Sequence, residues 1–374
     1  MLKNLWYVAQ ETRAVKDAPI QVRLLGQDLV LFRDANGKLA CLSDICIHRG
    51  ASLSRGAVVD GCVECPYHGW RYSADGRVSK IPAEPGAKIP ARARVDSYPV
   101  VEQAGWVWVF IGDLPPEQRP SIPAMPEYLD PGIRWIHGSW DWQANHHRVV
   151  ENGLDFAHAP FVHGSVFGDR NNPGIEDFSI EDRPDGGGSR MVMRVPKRNN
   201  GLWGLMPGPA VKSVEARPWY NLNGPIVGLE LFPRAGWQIW LRSAHTPVDE
   251  NHTKSWWIMG RNFMRSKLFD KDSYKRNVQI FFQDLVVLEQ IKPENVPDSW
   301  REELTVKTDA LQVSYRKKVR QLEALGNKID SPRIDAEFKG RRACVLPSPA
   351  RAVPGERFVL ESVPFASPAQ SAHE

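Results

Sequence analysis

The chain is poor in cysteine, lacks an excess of charge of one sign and has no long apolar runs. Five cysteines among 374 residues are too few for a disulfide framework. Lysine and arginine (48) nearly balance aspartate and glutamate (44), and the net charge of +4 provides no strong field for nucleic acid. No run of about 18 apolar residues occurs, and the first residues lack the apolar stretch of a signal peptide. We therefore expect a cytoplasmic globular protein that binds neither nucleic acid nor membrane.

The first part of the chain has the pattern of a small all-β domain. Residues 20–111 contain short strand-like runs joined by tight turns, among them Asn36-Gly37 and Asp75-Gly76. Residues 113–132 contain six prolines, which neither continue a helix nor donate to a sheet. We therefore predict a linker and a domain boundary there.

The pattern after the linker is mixed. Periodicity predicts helices near residues 143–158, 270–291 and 308–326, and alternating runs predict strands at about 188–262. This mixture indicates an α+β domain. We predict domains at residues 1–118 and 119–340, followed by a C-terminal tail, residues 341–374, whose last ten or so residues are disordered.

Four cysteines lie within 25 residues, and two of them belong to a pattern of metal ligands. Cys46-Ile47-His48 is followed, after sixteen residues, by Cys65-Pro66-Tyr67-His68, so each half supplies one thiolate and one imidazole. Zinc modules usually pair Cys with Cys and His with His. In a [2Fe–2S] centre with mixed ligands, one iron takes both thiolates and the other takes both imidazoles. The spacing favours the cluster and leaves structural zinc as the alternative.

These residues resemble the Rieske ferredoxin motif, and the surrounding CIHRGASLSRG and CPYHGWRYSADG, with Trp70, match it closely. The resemblance implies a [2Fe–2S] cluster bound by Cys46, His48, Cys65 and His68. Ala51 and Tyr67 stand where respiratory Rieske proteins carry disulfide cysteines, which suggests an oxygenase-type centre of lower potential. The remaining cysteines are expected to be structural thiols; they are Cys41, Cys62 and Cys344.

A second group of candidate metal ligands lies in the predicted helix near residues 143–158. Arg148, Glu151, Asp155 and His158 recur at helical spacing and form a polar stripe. His158 and His163 would diverge on a continuous helix. Pro160 should bend or end the helix and let the two imidazoles converge.

Asp284 is the candidate for a third ligand. Its helical neighbours are all apolar, namely Ile280, Phe281, Val287 and Leu288. A carboxylate in such surroundings is costly unless it is paired or binds a cation. Two histidines and one carboxylate form the facial triad of a non-haem Fe(II) oxygenase.

With both sites, residues 1 to about 340 resemble a Rieske non-haem iron oxygenase, on the side of the family that holds vanillate O-demethylase, dicamba demethylase and carbazole dioxygenase. The resemblance implies an α+β catalytic domain of the START-like helix-grip type and Fe(II) bound by His158, His163 and Asp284. It also implies electrons from NADH through a reductase or ferredoxin, and a homotrimer in which Asp155 bridges His158 to His68 of a neighbouring subunit. Asn152 would lie near the iron.

The function that this resemblance implies is monooxygenation, including O- or N-dealkylation, of a small, mainly apolar or aromatic substrate with O2. Ring dihydroxylation, a Rieske electron carrier without oxygenase activity, and a zinc-stabilised interaction module stay as alternatives. Phe156, Phe161 and Ile280 could line a pocket. The basic run Arg316–Arg320 is either a docking face for an acidic partner or a solvated face. Five histidines are expected to be ordinary surface or satisfied residues: His137, His146, His147, His245 and His252.

Overall fold

The computed structural model describes residues 1–164, 168–195 and 212–368. The chain forms two compact units, of which the first comprises Met1–Ile122, Thr246–Glu250 and the chain from Arg320 onward, and the second comprises Pro123–His245 and Asn251–Val319. The sequence predicted three contiguous ranges, 1–118, 119–340 and 341–374. It did not predict that later segments of the chain, at 246–250 and from 320 onward, rejoin the first unit. Residues near 328 join the first unit because the Ile329 and Lys3 amides donate to the Met1 and Asn327 carbonyls, both at 2.9 Å.

The first unit contains three small antiparallel sheets. Their orders are β1-β11-β10, β2-β3-β4-β9 and β5-β6-β7-β8. The strands are β1 (Leu5–Glu11), β2 (Ile20–Leu24), β3 (Gln27–Arg33), β4 (Leu39–Ser43), β5 (Ala57–Val59), β6 (Cys62–Glu64), β7 (Arg71–Tyr72), β8 (Val78–Lys80), β9 (Ser97–Tyr98), β10 (Val100–Gln103) and β11 (Trp106–Ile111).

Two-residue turns set the register of these hairpins. Asp60-Gly61 joins β5 to β6, and Ala104-Gly105 joins β10 to β11; all four residues have positive φ, as in type I′ turns. Gly61 is also required by space, because a Cβ there would lie 2.2 Å from the Ala35 amide nitrogen. The turns expected at residues 37 and 76 are present, with glycine in the left-handed region at both.

The second unit is a seven-stranded sheet with helices. The strand order is β12-β18-β17-β16-β15-β14-β13. The strands are β12 (Arg134–Trp142), β13 (Ile175–Arg183), β14 (Gly186–Arg194), β15 (Ser213–Asn221), β16 (Ile226–Arg234), β17 (Trp237–Pro247) and β18 (Thr253–Arg261), and the helices are α1 (His146–Leu154), α2 (Ala159–Val162), α3 (Asp270–Leu288) and α4 (Ala310–Leu322).

Helix α3 packs across β12 and β18 through a continuous apolar core. Trp142 and Trp257 from these strands are buried against Phe281 of α3, with the Trp142 and Phe281 rings 5.7 Å apart and edge-on. Val149 of α1 joins the same core, which therefore fixes α1 relative to α3. The α+β class predicted for this part of the chain is confirmed.

The predicted strands and helices differ from the structure mainly at their ends. The first helix ends at Leu154 rather than at 158, and α3 and α4 are shorter than predicted by a few residues. Strands β12 and β13 were not predicted, because β13 is an edge strand rich in charged residues and β12 mixes aromatic and polar ones. The predicted strand-like run also covers residues 196–211, which lie outside the described residues. In the described part of the chain, no helix has both the length and the apolar character needed to cross a bilayer.

The C-terminal segment of the first unit is held by charge pairs. Helix α5 (Ser331–Glu337) precedes strands β19 (Cys344–Val345) and β20 (Glu361–Ser362), which pair in parallel. The buried Asp96 accepts from the Ser348 hydroxyl and from two guanidinium nitrogens of Arg351, each at 2.7 Å. The described part of the predicted tail, up to residue 368, is therefore structured. The disorder predicted for the last ten or so residues is wrong at Phe365 and Ala366, where Phe365 pairs with Ile329 and the Ala366 amide donates to the Lys328 carbonyl at 2.9 Å. The rest of that prediction, from residue 369 onward, lies outside the described residues.

Candidate metal centres and active site

Two loops of the first unit bring Cys46, His48, Cys65 and His68 together, and the loops are built alike. The Gly50 amide donates to the Cys46 carbonyl at 2.8 Å, and the Gly69 amide donates to the Cys65 carbonyl at 3.0 Å. Both glycines have positive φ, 76° and 70°, which lets the chain turn back directly after each histidine. The imidazoles of His48 and His68 meet with their ring centres 4.5 Å apart.

The sulfurs and the imidazoles have different surroundings. Cys46 and Cys65 are 2% exposed, whereas His48 is half-buried and His68 is exposed. The indole of Trp70 stacks on His48, with ring planes 5° apart. The thiolate side of the site therefore faces the core, and the imidazole side lies at the surface.

The donor set fits a mixed-ligand iron–sulfur cluster. Burial raises the pKa of the Cys46 thiol, so a thiolate there requires a nearby cation. The Tyr72 hydroxyl lies 3.1 Å from Cys46 Sγ, and hydrogen bonds to the sulfurs are one of the means by which proteins tune such clusters. All five cysteines of the chain are free of disulfides in this structure.

The second candidate centre begins where α1 ends. Asn145 caps the helix by accepting from the His147 amide at 3.0 Å. At the other end, Asp155 adopts extended backbone angles, and α2 starts four residues later. Pro160 lies in the first turn of α2, where proline is tolerated, so the expected convergence of the two histidines is correct but its cause is not. The chain breaks before the proline rather than at it.

The break brings three predicted ligands to one point. His158 Nε2 and His163 Nε2 lie 3.1 Å apart, and Asp284 Oδ1 lies 3.4 Å from the first and 3.1 Å from the second. Three atoms bound to one ion at about 2.1 Å are separated by about 3.0 Å at right angles and about 3.4 Å at the tetrahedral angle. In the described part of the chain, these residues are the group of potential ligands that converges on a single ion position.

Electrostatics favour a cation at this point. Burial alone would lower the pKa of His158, but Asp155 and Asp284 outweigh it and raise the pKa to about 9. Burial alone would raise the pKa of Asp284, but hydrogen bonds and charge from the two histidines lower it instead. Asp284 is 6% exposed, so an ionised carboxylate here needs a positive partner.

Three neighbouring side chains orient these groups. Asp155 Oδ1 accepts from the Ala157 amide at 2.7 Å, which holds the second carboxylate oxygen 3.5 Å from His158 Nδ1. Asn152 approaches Asp284 Oδ1 at 3.4 Å. Gln283 Oε1 lies 3.0 Å from His163 Nδ1, so this histidine can donate to the amide from Nδ1 and present an unprotonated Nε2 towards Asp284. Gln283 was not predicted, because the prediction for this helix rested only on Asp284 and its apolar neighbours.

A cavity beside these residues is mostly apolar. Phe156 and Ile280 line it as expected, whereas Phe161 is 55% exposed and does not. His245 also lines it, against the expectation of an ordinary histidine. The other lining residues are Trp142, Val149, Asn152, Gly153, Asp155, His158, Ala159, His163, Val227, Leu229, Leu241, Ser243, Phe281 and Asp284.

Within the basic run of α4, Arg316 departs from both sequence interpretations, whereas Lys317 is exposed. Arg316 is buried and pairs with Glu151 of α1. Its Nη2 also lies 2.6 Å from Glu303 Oε2. Arg148 also pairs with Glu303, at 2.7 Å. The predicted polar stripe is therefore split: Glu151 pairs with Arg316 of α4, Arg148 pairs with Glu303 between α3 and α4, and Asp155 and His158 lie beyond the helix.

Two protein families match the chain. The Rieske [2Fe–2S] domain matches residues 5–99, and the vanillate O-demethylase oxygenase C-terminal domain matches residues 142–325. The match to the Rieske domain indicates a [2Fe–2S] cluster, and not the structural zinc that the spacing of Cys46, His48, Cys65 and His68 had left as the alternative. The chain spans less than half the length of several curated relatives that it matches. Three of them are 35–41% identical to it and are matched over 25–48% of their own length.

Individual relatives are similar to this chain over different lengths, from about half of it to most of it. Chlorophyllide a oxygenase of Chlamydomonas reinhardtii is 41% identical over 170 residues, 44% of this chain and 25% of that protein. Methylxanthine N1-demethylase NdmA of Pseudomonas putida is 29% identical over 333 residues, 86% of this chain and 89% of that protein. The solved structure of NdmA with caffeine superposes with a TM-score of 0.71 and 25% identity, covering 86% of this chain and 91% of that one.

The family matches, the relatives and the fold agree with one another. Members of this family are oxidoreductases that combine a Rieske [2Fe–2S] cluster with a mononuclear iron and receive electrons from a reductase. The chain therefore combines a Rieske [2Fe–2S] domain with a C-terminal domain of the vanillate O-demethylase oxygenase type, which are the two domains of a Rieske non-haem iron oxygenase.

Proposed function

We propose that the protein uses O2 and NADH-derived electrons to monooxygenate a small, mainly apolar or aromatic substrate, by hydroxylation or by O- or N-dealkylation. The observation that carries the proposal is the convergence of His158, His163 and Asp284 beside an apolar cavity. An electron carrier without oxygenase activity has no use for such a group.

The proposed ligands of the mononuclear iron are His158, His163 and Asp284. The iron, when bound, supplies the position at which O2 is activated. His163 donates from Nδ1 to Gln283, and this fixes the tautomer that presents Nε2. Asp284 contributes the negative charge that makes a divalent cation favourable in a buried site.

Asp155 and Asn152 are proposed to act beside these ligands. Asp155 lies next to His158 Nδ1 and is proposed to bridge this ring to His68 of a neighbouring subunit in a homotrimer. Asn152 contacts the carboxylate of Asp284 and is proposed to position it rather than to coordinate the metal.

The proposed ligands of the cluster are Cys46, His48, Cys65 and His68. Their arrangement leaves the imidazole side at the surface, where electrons can enter from a separate reductase or ferredoxin and leave towards the mononuclear iron. A cytoplasmic location, inferred from the few unpaired cysteines, stays a prediction.

The cavity supports the substrate class. Its lining is dominated by aliphatic and aromatic side chains, among them Trp142, Phe156, Leu241 and Phe281. Relatives named as a methylxanthine N1-demethylase and a dicamba O-demethylase favour dealkylation, while dihydroxylation of an aromatic ring is the alternative outcome.

The test is oxygen uptake with a surrogate reductase and NADH, on a panel of aryl methyl ethers and N-methyl heterocycles. We expect uptake that depends on the substrate and releases formaldehyde in step with NADH oxidation. Stable incorporation of both oxygen atoms into a ring would favour dihydroxylation. A cluster that is reduced normally while no compound stimulates oxygen uptake would support the carrier instead.

A further inference from the structure

His245 lines the cavity, is not one of the proposed iron ligands, and has incomplete hydrogen bonding. It is 4% exposed, and its Nε2 has no hydrogen-bond partner among the described residues. Buried side-chain nitrogens nearly always have a partner, so an unpaired one in the wall of a binding cavity points to a ligand. Most of the other residues that line the cavity are apolar.

The other ring nitrogen of His245, Nδ1, has a hydrogen-bond partner. His245 Nδ1 lies 2.6 Å from the Ser255 hydroxyl, which in turn lies 2.7 Å from Trp142 Nε1. Ser255 is completely buried and does not line the cavity. The Nδ1 side of the ring therefore faces the sheet.

This chain of contacts fixes the tautomer. An indole N–H only donates, so Trp142 donates to Ser255 Oγ. The hydroxyl proton of Ser255 then needs an acceptor, and His245 Nδ1 is the one within reach. Nδ1 is therefore unprotonated, and Nε2 carries the proton. Burial lowers the pKa of His245 to about 3, so the ring stays neutral at physiological pH.

We propose that His245 donates a hydrogen bond from Nε2 to a carbonyl-type oxygen of the substrate, and that Ser255 and Trp142 position it for this purpose. The proposal rests on the proposed function and specifies its substrate class: an apolar molecule that carries a hydrogen-bond acceptor apart from the group that is oxidised. A buried donor left without its partner costs free energy, so the site discriminates against analogues without the acceptor.

The test compares the binding of two small molecules that differ in a single functional group. 4-Methoxyacetophenone has a carbonyl oxygen where 4-isopropenylanisole has a methylene group, and both carry the same aryl methyl ether. Binding to the iron-loaded protein is measured by titration calorimetry under argon. We expect the wild type to prefer the ketone by about tenfold, the discrimination of a single buried hydrogen bond.

Four variants separate donation from packing. His245→Phe should abolish the preference while still binding the alkene, and His245→Gln, which places an amide N–H near the position of Nε2, should restore part of it. Ser255→Ala should weaken the preference without removing it, because Nδ1 and Nε2 then exchange the proton. His137→Phe, the same change on β12 outside the cavity lining, should retain the full preference.

A wild type that does not prefer the ketone, whether both probes bind equally or neither binds, contradicts the proposal. So does an unchanged preference in His245→Phe. Failure of the proposed function is a separate result, because it would be seen as absent mononuclear iron or absent substrate-dependent oxygen uptake, and neither depends on the ratio of the two affinities.

Discussion

The two metal centres are built in opposite ways. All proposed cluster ligands lie within residues 46–68, in two loops that are each closed by their own backbone hydrogen bonds. The proposed ligands of the mononuclear site come from residues 158 and 163 and from residue 284, which meet because α1 and α3 share a core with β12 and β18. The ligands of a local site lie within one short motif, whereas the ligands of a distributed site are brought together by the tertiary fold.

The largest effect should come from the local site. Cys46→Ser removes a buried thiolate, and we expect loss of the [2Fe–2S] absorption and loss of NADH-driven turnover by at least about 100-fold, because electrons cannot enter. The mononuclear site lies in the other unit and should still bind iron. Absorption spectra and iron analysis of the purified variant check both statements. A Cys46→Ser protein with wild-type turnover would falsify the cluster assignment.

Asp155→Asn tests the bridge between the two centres. Asparagine keeps the oxygen that accepts from the Ala157 amide but loses the charge beside His158. We expect both iron sites to remain occupied and the cluster to be reduced normally, with turnover lowered by about 10- to 100-fold. The measurement is single-turnover oxidation of the reduced cluster by O2 with substrate present.

An unchanged rate in Asp155→Asn would remove the bridging role. Loss of mononuclear iron would instead make Asp155 a structural support of His158.

A smaller effect is expected at Gln283, which supports the distributed site alone. Gln283→Leu removes the acceptor of His163 Nδ1 and should weaken iron binding at the mononuclear site by about 10-fold, the lower end of the range for such supporting groups. Gln283→Glu, which keeps an acceptor, should bind iron like the wild type. Competition with a chelator measures both. Equal chelator sensitivity of the leucine variant and the wild type would show that Gln283 does not orient the ligand.

Much of the site could be predicted from the sequence, for different reasons at each place. The cluster loops follow from Cys46-x-His48 and Cys65-x2-His68, since short loops with glycine have few ways to fold. Asp284 could be predicted because a carboxylate on the buried face of a helix is unusual, although its neighbour Val287 is 42% exposed rather than buried. The α+β class followed from the change of period along the chain.

The rest depended on contacts between distant segments. Arg316 looked like part of a surface patch because its partners Glu151 and Glu303 are far away in sequence. His245 looked ordinary because Ser255 and Trp142 belong to other strands, and the break before His158 was attributed to Pro160 because proline is the visible breaker. The contacts of His245 follow from the sheet order, because β12, β18 and β17 are neighbours.

The central claim is that three residues from distant segments bind one iron independently of the cluster. The most direct test is iron and sulfide analysis with absorption and Mössbauer spectra of wild type and Asp284→Ala. We predict about three irons and two sulfides per wild-type chain, and about two irons with an unchanged Rieske spectrum in the variant, because the cluster has its own ligands. Three irons in Asp284→Ala, or loss of the cluster spectrum together with the third iron, would contradict the account.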